Sequence, residues 1–383
     1  MFAQVKLMMA GKYEEFHKKL GAQQDLESRV MAALKALEYI LPLDVHCDRK
    51  DSQISSYCLS LAMNDHTPFS LKLTIMAIRE AGGFDKLREQ LGEFKKNKDC
   101  LEKGFSEDGT YKSNTYKPLY YLEAHEDKRW LPEFITMTLN MSVILYFVFV
   151  ETSFFGKSSD KSLKALLNNK NAIFTANLIA FHYMIIQTND HEMSEVTHYG
   201  QHMGLGAVIH PFCSLFNHSC YPNVSRVPIL GSDNVMYQMM MVQHAIKKGS
   251  QIFDDYGFDF TLENAARRKD LCQKYYFECR CKACRNNWPM FEKLPSVIMT
   301  CTSQTKKNDI VTAMSRVAKV ESVILEGDIA TLDAEHETVF KILIDAVNFL
   351  SNYGTSPPTK EYLRTVTLLK TAYLVIYGNR INL

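Results

Sequence analysis

Leu26, Val30, Leu34, Leu37 and Leu41 recur at spacings of three and four residues, so they share one face of a helix that Pro42 ends. Such a stripe can dock a partner, but its plain reading is core packing. Residues 1–60 thus read as helix followed by an irregular segment. A second helix is predicted from Thr67-Pro68 to Gly82-Gly83. Thr caps a first turn, Pro suits a position whose N–H has no helical partner, and Gly ends the run. Residues 94–117 are polar and read as an exposed loop, with Lys95, Lys96 and Lys98 as a solvated face. Residues 127–187 read as helical, with a polar break near 156–161.

Phe134 to Val150 is the most apolar stretch. It holds 17 residues, including two Thr, an Asn and a Ser. A membrane span needs about 20 apolar residues, so a buried core helix is expected and no membrane partner. Further on, Val235–Val242 reads as a strand, Lys247–Ser250 as a turn and Gln251–Phe253 as a short strand. Thr261 is expected to cap a helix over 262–275. After Pro295 the pattern is all helical. One stripe is Ile310, Met314, Val317, Val320 and Ile324; another is Leu363, Val366, Leu369, Tyr373 and Ile376, stopped at Gly378-Asn379. Helical hairpins of this kind can stack as in helical repeats, although the sequence itself shows no clear repeat.

Composition adds little except at the cysteines. The chain has 383 residues, 46% hydrophobic and 23% charged, with a formal net charge of +1. Those values are ordinary for a globular protein and supply no overall field toward nucleic acid. The first residues, MFAQVKLMMAGKYEEFHKK, lack an apolar core and a cleavage site, so no signal peptide is expected. The ten cysteines are then expected to be reduced, in cytoplasm and nucleus, and clustered ones to bind metal.

Cys279, Cys281 and Cys284 lie within six residues, flanked by Arg280, Lys282 and Arg285. Three thiols on a tight loop can supply three of the four tetrahedral zinc ligands, and the positive flanks favour thiolates. Cys220, Cys272, Cys213, His218 and Cys301 are chemically able to be the fourth, and spacing does not choose among them. Two other segments carry polar chemistry. Asn217-His218-Ser219-Cys220 follows an apolar run, and an Asn amide there can read an adenine edge or hold a carboxylate. Tyr256, followed by Gly257, ends a short strand and can aim its hydroxyl into a cleft. Each alone reads as a turn or a strand-end aromatic. Their order is informative: Gly-x-Gly at 204–206, Asn-His-Ser-Cys-x-Pro-Asn, Gly-x-x-Ile-x-x-x-Tyr, then Tyr-x-Phe-x-Cys-x-Cys-x-x-Cys.

That series resembles the SET domain and post-SET zinc site of the SMYD family of SET-and-MYND lysine methyltransferases, closest to its fourth type. The resemblance implies an α+β fold: SET β-sheets with a helical insert, a post-SET zinc site and an all-helical C-terminal domain. It implies a helical segment over 1–64, an insert-like helical region over 65–190, a SET core over 191–260, a post-SET region over 261–290 and the helical domain over 295–383. It implies structural Zn²⁺ on Cys220, Cys279, Cys281 and Cys284. It implies S-adenosylmethionine held by Asn217 and His218, by Ser214 and Asn189 with less direct correspondence, and by the aromatic Tyr275 and Phe277. Tyr256 matches the active-site Tyr, and the partner is a protein bearing the target lysine, histone or not. Departures from the family pattern matter too. No Gly-x-Gly precedes Gly204, so the Gly-Arg-Gly strand pair that walls the cofactor pocket is expected to be missing. Cys47, Cys58 and Cys100 are too widely spaced for a MYND finger. A weakly binding, weakly active or scaffolding relative is the alternative.

Overall fold

The computed structural model describes residues 18, 25–40, 66–96, 104–106, 108–157, 159–196, 202–231, 235–325 and 329–378. Cys47, Cys58, Cys100, Lys98, Leu41, Pro42 and Asn379 lie outside the described residues, as does most of the segment before Asp25. The chain forms two compact units, Met1–Asp190 and His191–Leu383.

The first unit is helical. Its helices are α1 (Leu26–Ile40), α2 (Thr67–Ala81), α3 (Phe84–Lys96), α4 (Tyr116–Tyr120), α5 (Leu131–Glu151), α6 (Leu163–Asn168) and α7 (Lys170–Asn189). The stripe on α1 is core, as its spacing predicts: Val30, Leu34 and Leu37 are fully buried, and α1 packs on α5. Helix α5 is long and apolar enough to cross a membrane, yet twelve of its residues between Phe134 and Phe149 are buried in the unit. It is a core helix. Helix α2 ends at Gly82, whose φ of 83° is the left-handed conformation that glycine adopts without a Cβ penalty. Its start differs from expectation: the N-cap is His66, and Thr67 lies inside the first turn without capping it.

The stretch over 94–117 is not all exposed loop. Helix α3 reaches Lys96, and Tyr116 is 4% exposed. The cause is a buried polar chain. The Tyr116 hydroxyl lies 2.7 Å from His182 Nε2, and His182 Nδ1 lies 2.7 Å from Thr74 Oγ1, which donates to the Ser70 carbonyl. The Thr hydrogen is used on Ser70, so His182 Nδ1 carries a proton and Nε2 accepts from Tyr116. Every group is satisfied only if the ring is neutral, and burial holds His182 neutral by lowering its pKa to about 3.

The second unit is mixed. Its strands are β1 (Asp190–Val196), β2 (His202–Ile209), β3 (Asn217–His218), β4 (Val224–Leu230), β5 (Met236–Val242) and β6 (Phe253–Asp254). They pair as β1 with β2, β3 with β6 in parallel, and β4 with β5 antiparallel from Val224↔Val242 to Leu230↔Met236. After them come α8 (Asn264–Tyr275), α9 (Lys282–Arg285), α10 (Val297–Thr300), α11 (Gln304–Leu325), α12 (Ile329–Ser351) and α13 (Lys360–Tyr377). The α+β reading holds. Thr261, however, does not cap α8. Its backbone N–H and hydroxyl both go to Asp259, and the helix starts three residues later, after Glu263.

Helices α11, α12 and α13 share one core that includes Ile310, Val317, Leu332, Leu343, Val366 and Leu369. The α11 stripe is as expected. On α13, Tyr362, Thr365, Leu368, Ala372 and Val375 are buried besides Val366 and Leu369, whereas Leu363, Tyr373 and Ile376 are only half-buried. The buried arc is wider and rotated because α13 packs on β4 as well as on α11 and α12.

Candidate active site and metal centre

Cys220 leaves β3 directly after His218 and Ser219. Its carbonyl accepts from Phe260 N–H at 2.8 Å, which fixes the turn beneath the cluster. The other thiols sit on the loop after α8, where Cys281 precedes the single turn of α9. The four Sγ atoms of Cys220, Cys279, Cys281 and Cys284 lie within 4.8 Å of one another. Cys220 Sγ is 3.8 Å from Cys279 Sγ and 3.5 Å from Cys284 Sγ. A zinc tetrahedron with bonds of about 2.3 Å has edges of about 3.8 Å, so the donor set fits, with its widest pair slightly open. Cys220, Cys279 and Cys284 are almost fully buried. Hydrogen bonds from Cys220 and Cys279 hold the Cys281 thiol far below its ordinary range, while the same contacts push Cys220 up.

The supports of this loop are chemical as well as steric. Arg268 Nη2 and Asn264 Nδ2 both donate to the Cys284 carbonyl, at 3.1 and 3.2 Å. Arg267 is fully buried and donates to the carbonyls of Phe260 and Leu262. These guanidinium groups bring positive charge to the surroundings of the thiol cluster.

His218 joins the metal centre to the second group of residues. Tyr256 N–H donates to His218 Nδ1 at 3.2 Å, and Nε2 lies 3.3 Å from Cys220 Sγ. Burial lowers the His218 pKa, so the ring is neutral, and with Nδ1 accepting, the single hydrogen sits on Nε2 facing the sulfur. Around it the aromatic residues gather. Ring centroids are 5.2 Å apart for His218 and Tyr256, 6.0 Å for His218 and Phe277, 4.8 Å for Tyr256 and Tyr275, and 6.4 Å for Tyr256 and Phe277. The Tyr256 hydroxyl donates to the Phe216 carbonyl at 2.7 Å, and the Tyr275 hydroxyl to the Tyr256 carbonyl at 3.4 Å. Burial pushes the Tyr256 phenol up to about 12, so it stays protonated at neutral pH.

Of the expected site residues, the rings of His218, Tyr256, Tyr275 and Phe277 lie together. Asn217 is the exposed member of β3, level with Phe253 and next to buried His218. The Ser214 hydroxyl donates to the His210 carbonyl at 3.1 Å and lies 3.3 Å from His191 Nε2. Asn189 belongs to the first unit, where its Nδ2 donates to the carbonyls of Glu123 and Ile185, both at 2.8 Å.

Sequence reasoning missed a neighbouring polar network. Arg226, on β4, places Nε 2.7 Å from Asp254 Oδ2, donates from Nη2 to the Asp255 carbonyl at 2.6 Å, and meets His191 Nδ1 with Nη1. Asp254 is 1% exposed, and burial raises its carboxyl to about 6 against the opposing pull of Arg226. An Arg in the strand-like segment Val224-Ser225-Arg226-Val227 is the available signal, because a charge in a half-buried strand needs a partner.

Comparison with known proteins places the sequence in a family. The sequence profile of the SET domain matches residues 48–257, more than half of the chain. The mouse protein-lysine N-methyltransferase SMYD4 (Mus musculus) is 28% identical over 144 residues, 34% of this chain and 17% of the relative. The Saccharomyces cerevisiae potential protein lysine methyltransferase SET6 is 27% identical over 125 residues, 27% of this chain and 32% of the relative. The human N-lysine methyltransferase SMYD2 (Homo sapiens) is 35% identical over 80 residues, 21% of this chain and 17% of the relative. The aligned regions thus span less than a third of these curated relatives. With its Cys cluster, Asn-His-Ser-Cys segment and Tyr256 on this framework, the chain belongs to the SET domain family, on its SMYD-like side.

Proposed function

We propose that the protein transfers a methyl group from S-adenosylmethionine to a protein lysine, with Tyr256 at the reacting centre and a structural zinc behind it. The observation that carries this reading is the gathering of His218, Tyr256, Tyr275 and Phe277 into one ring cluster from segments up to 59 residues apart. When bound, S-adenosylmethionine supplies a sulfonium-activated methyl group, which a neutral lysine amine accepts by in-line displacement. Much of the rate in such a reaction comes from alignment. The chain's residues serve that end. The Tyr256 phenol is protonated and cannot act as a base at neutral pH, so its role is to orient the amine. Its oxygen and the Phe216 carbonyl oxygen lie 2.7 Å apart, a pair suited to weak C–H···O contacts with a polarised methyl. Phe277 offers an adenine a stacking face, and exposed Asn217 offers an amide edge. His218 has both ring nitrogens engaged, so it contributes its ring face and holds Tyr256 against the metal centre. Four thiolates leave no open metal position, so zinc is structural here. Reduced thiols and a protein substrate fit cytoplasm and nucleus.

The test is transfer of radiolabelled methyl groups to a lysine-bearing protein mixture. Tyr256-dependent labelling, lost on Tyr256→Phe, supports the reading; wild-type labelling that survives the substitution removes Tyr256 from it. The second reading is a SET relative that scaffolds other proteins. It predicts no labelling and no cofactor binding.

A further inference from the structure

One side chain on β4 reaches β6, the peptide just before Tyr256, and β1. Arg226 extends from β4, opposite Met240 of β5. Its Nη2 holds the carbonyl of Asp255, the peptide immediately before Tyr256, at 2.6 Å. Its Nε lies 2.7 Å from the carboxylate of Asp254, an ion pair without hydrogen-bond alignment, and Asp254 pairs in register with His218. Its Nη1 meets Nδ1 of His191 on β1. A guanidinium only donates, so His191 Nδ1 must accept, and the ring hydrogen sits on Nε2. From there it points to Ser214 Oγ at 3.3 Å, and Ser214 donates onward to the His210 carbonyl. The hydrogen bonds therefore run in one direction, from Arg226 through His191 and Ser214 to the turn that leads into Phe216 and Asn217. Phe216 is the residue whose carbonyl receives the Tyr256 hydroxyl.

We infer that Arg226 is the positioning residue of this site, setting the Tyr256 hydroxyl against the Phe216 carbonyl by holding the backbone on both sides of that contact. The inference rests on the methyltransfer reading for its catalytic consequence, but not for its geometry. The planar fork is what the role requires. The guanidinium meets two acceptors and one carboxylate, and a lysine ammonium, a single point on a flexible stem, can replace the charge opposite Asp254 without reaching the Asp255 carbonyl and His191 as well. Charge pairing and positioning are thus separable by substitution.

Arg226→Lys keeps a cation beside buried Asp254, so the full chain is expected to fold with wild-type thermal stability to within a few degrees. A second variant, Arg226→Met combined with Asp254→Asn, removes both charges and guards against a misfolded single mutant. In each, hydrogen exchange at the Tyr256 amide is expected to quicken at least tenfold. Turnover is expected to fall about 10- to 100-fold, in line with the cost of a displacement of about 1 Å, while the cofactor Kd changes less than threefold. Wild-type turnover in a folded Arg226→Lys overturns the inference, and so does a loss confined to cofactor affinity. If the wild-type chain transfers no methyl, the methyltransfer reading falls, and the amide decides alone: faster exchange supports positioning, and unchanged exchange overturns it.

Discussion

Tyr256 gives its backbone N–H to His218 Nδ1 at 3.2 Å, and the opposite nitrogen of the same ring faces Cys220 Sγ at 3.3 Å. One imidazole thus bridges the Tyr256 segment and the thiol cluster. A donor aimed at a ligand sulfur tunes and orients that ligand, and losing such a partner typically weakens metal binding 10- to 100-fold. His218→Phe keeps a ring against Tyr256 and Phe277 but removes both nitrogens. Its zinc affinity, measured by competition with a chromophoric chelator, is expected to drop by about that factor. Unchanged affinity means the Cys220 contact has no role in metal binding.

The thiol cluster is expected to hold one zinc per chain. Cys284 is buried, and its carbonyl is fixed by Arg268 and Asn264, so Cys284→Ser changes the donor while leaving the loop supports in place. Metal stoichiometry by elemental analysis is expected to fall from one toward zero. Structural zinc contributes folding free energy directly, so the melting temperature is expected to drop as well, by roughly 5 °C or more. Full metal occupancy in the variant means the ligand set has been assigned wrongly.

The buried His182 gives a pH dependence. Its folded pKa is lowered by burial from 6.5 to about 3, so between those values the unfolded chain binds a proton that the folded chain does not. Stability must therefore rise with pH across that window and fall on acidification, by about 1.4 kcal/mol per pH unit for this one group. Comparing urea unfolding at pH 7 and pH 5 for the wild type and His182→Gln isolates the contribution, because the substituted chain lacks that share of the slope. Buried His191 adds a similar share in both proteins. Identical pH dependence would mean that His182 is not buried neutral. Tyr116→Phe leaves His182 Nε2 without its partner and is expected to destabilise by about 1–3 kcal/mol at pH 7.

In the C-terminal helices the contrast lies between a core position and an exposed one. Leu343 is fully buried on α12, whereas Met299 on α10 is 85% exposed. Leu343→Ala is expected to cost about 2–5 kcal/mol through lost burial and a residual cavity, and Met299→Ala less than about 0.5 kcal/mol. Equal losses in denaturant unfolding would place α12 in the wrong register.

Much of this was legible in sequence because it is local. The α1 and α11 stripes depend only on helical spacing, and the Cys279, Cys281 and Cys284 loop only on close neighbours. What was not legible depends on contacts far along the chain. The α13 face turned because β4, more than 100 residues earlier, packs on it. Tyr116 lies in a polar stretch that reads as loop, and only His182, 66 residues later, supplies the partner that buries it. Arg226 and His191, 35 residues apart, form a pair that no spacing rule announces. Cys220 could be chosen from five candidates only by resemblance, and the Sγ separations then support that choice. The helix start at Asn264 was missed because Asp259 competes for both Thr261 donors, leaving no cap at 261.

The central claim is that the ring cluster around Tyr256 is an S-adenosylmethionine site. Calorimetric titration of S-adenosylmethionine into the zinc-loaded full chain tests it without needing to know the substrate. One saturable site is expected. Phe277→Ala should weaken it about tenfold or more, since losing one base–aromatic stack costs about 1–3 kcal/mol. The absence of any saturable heat up to millimolar cofactor, in a chain that carries its zinc, would contradict the claim.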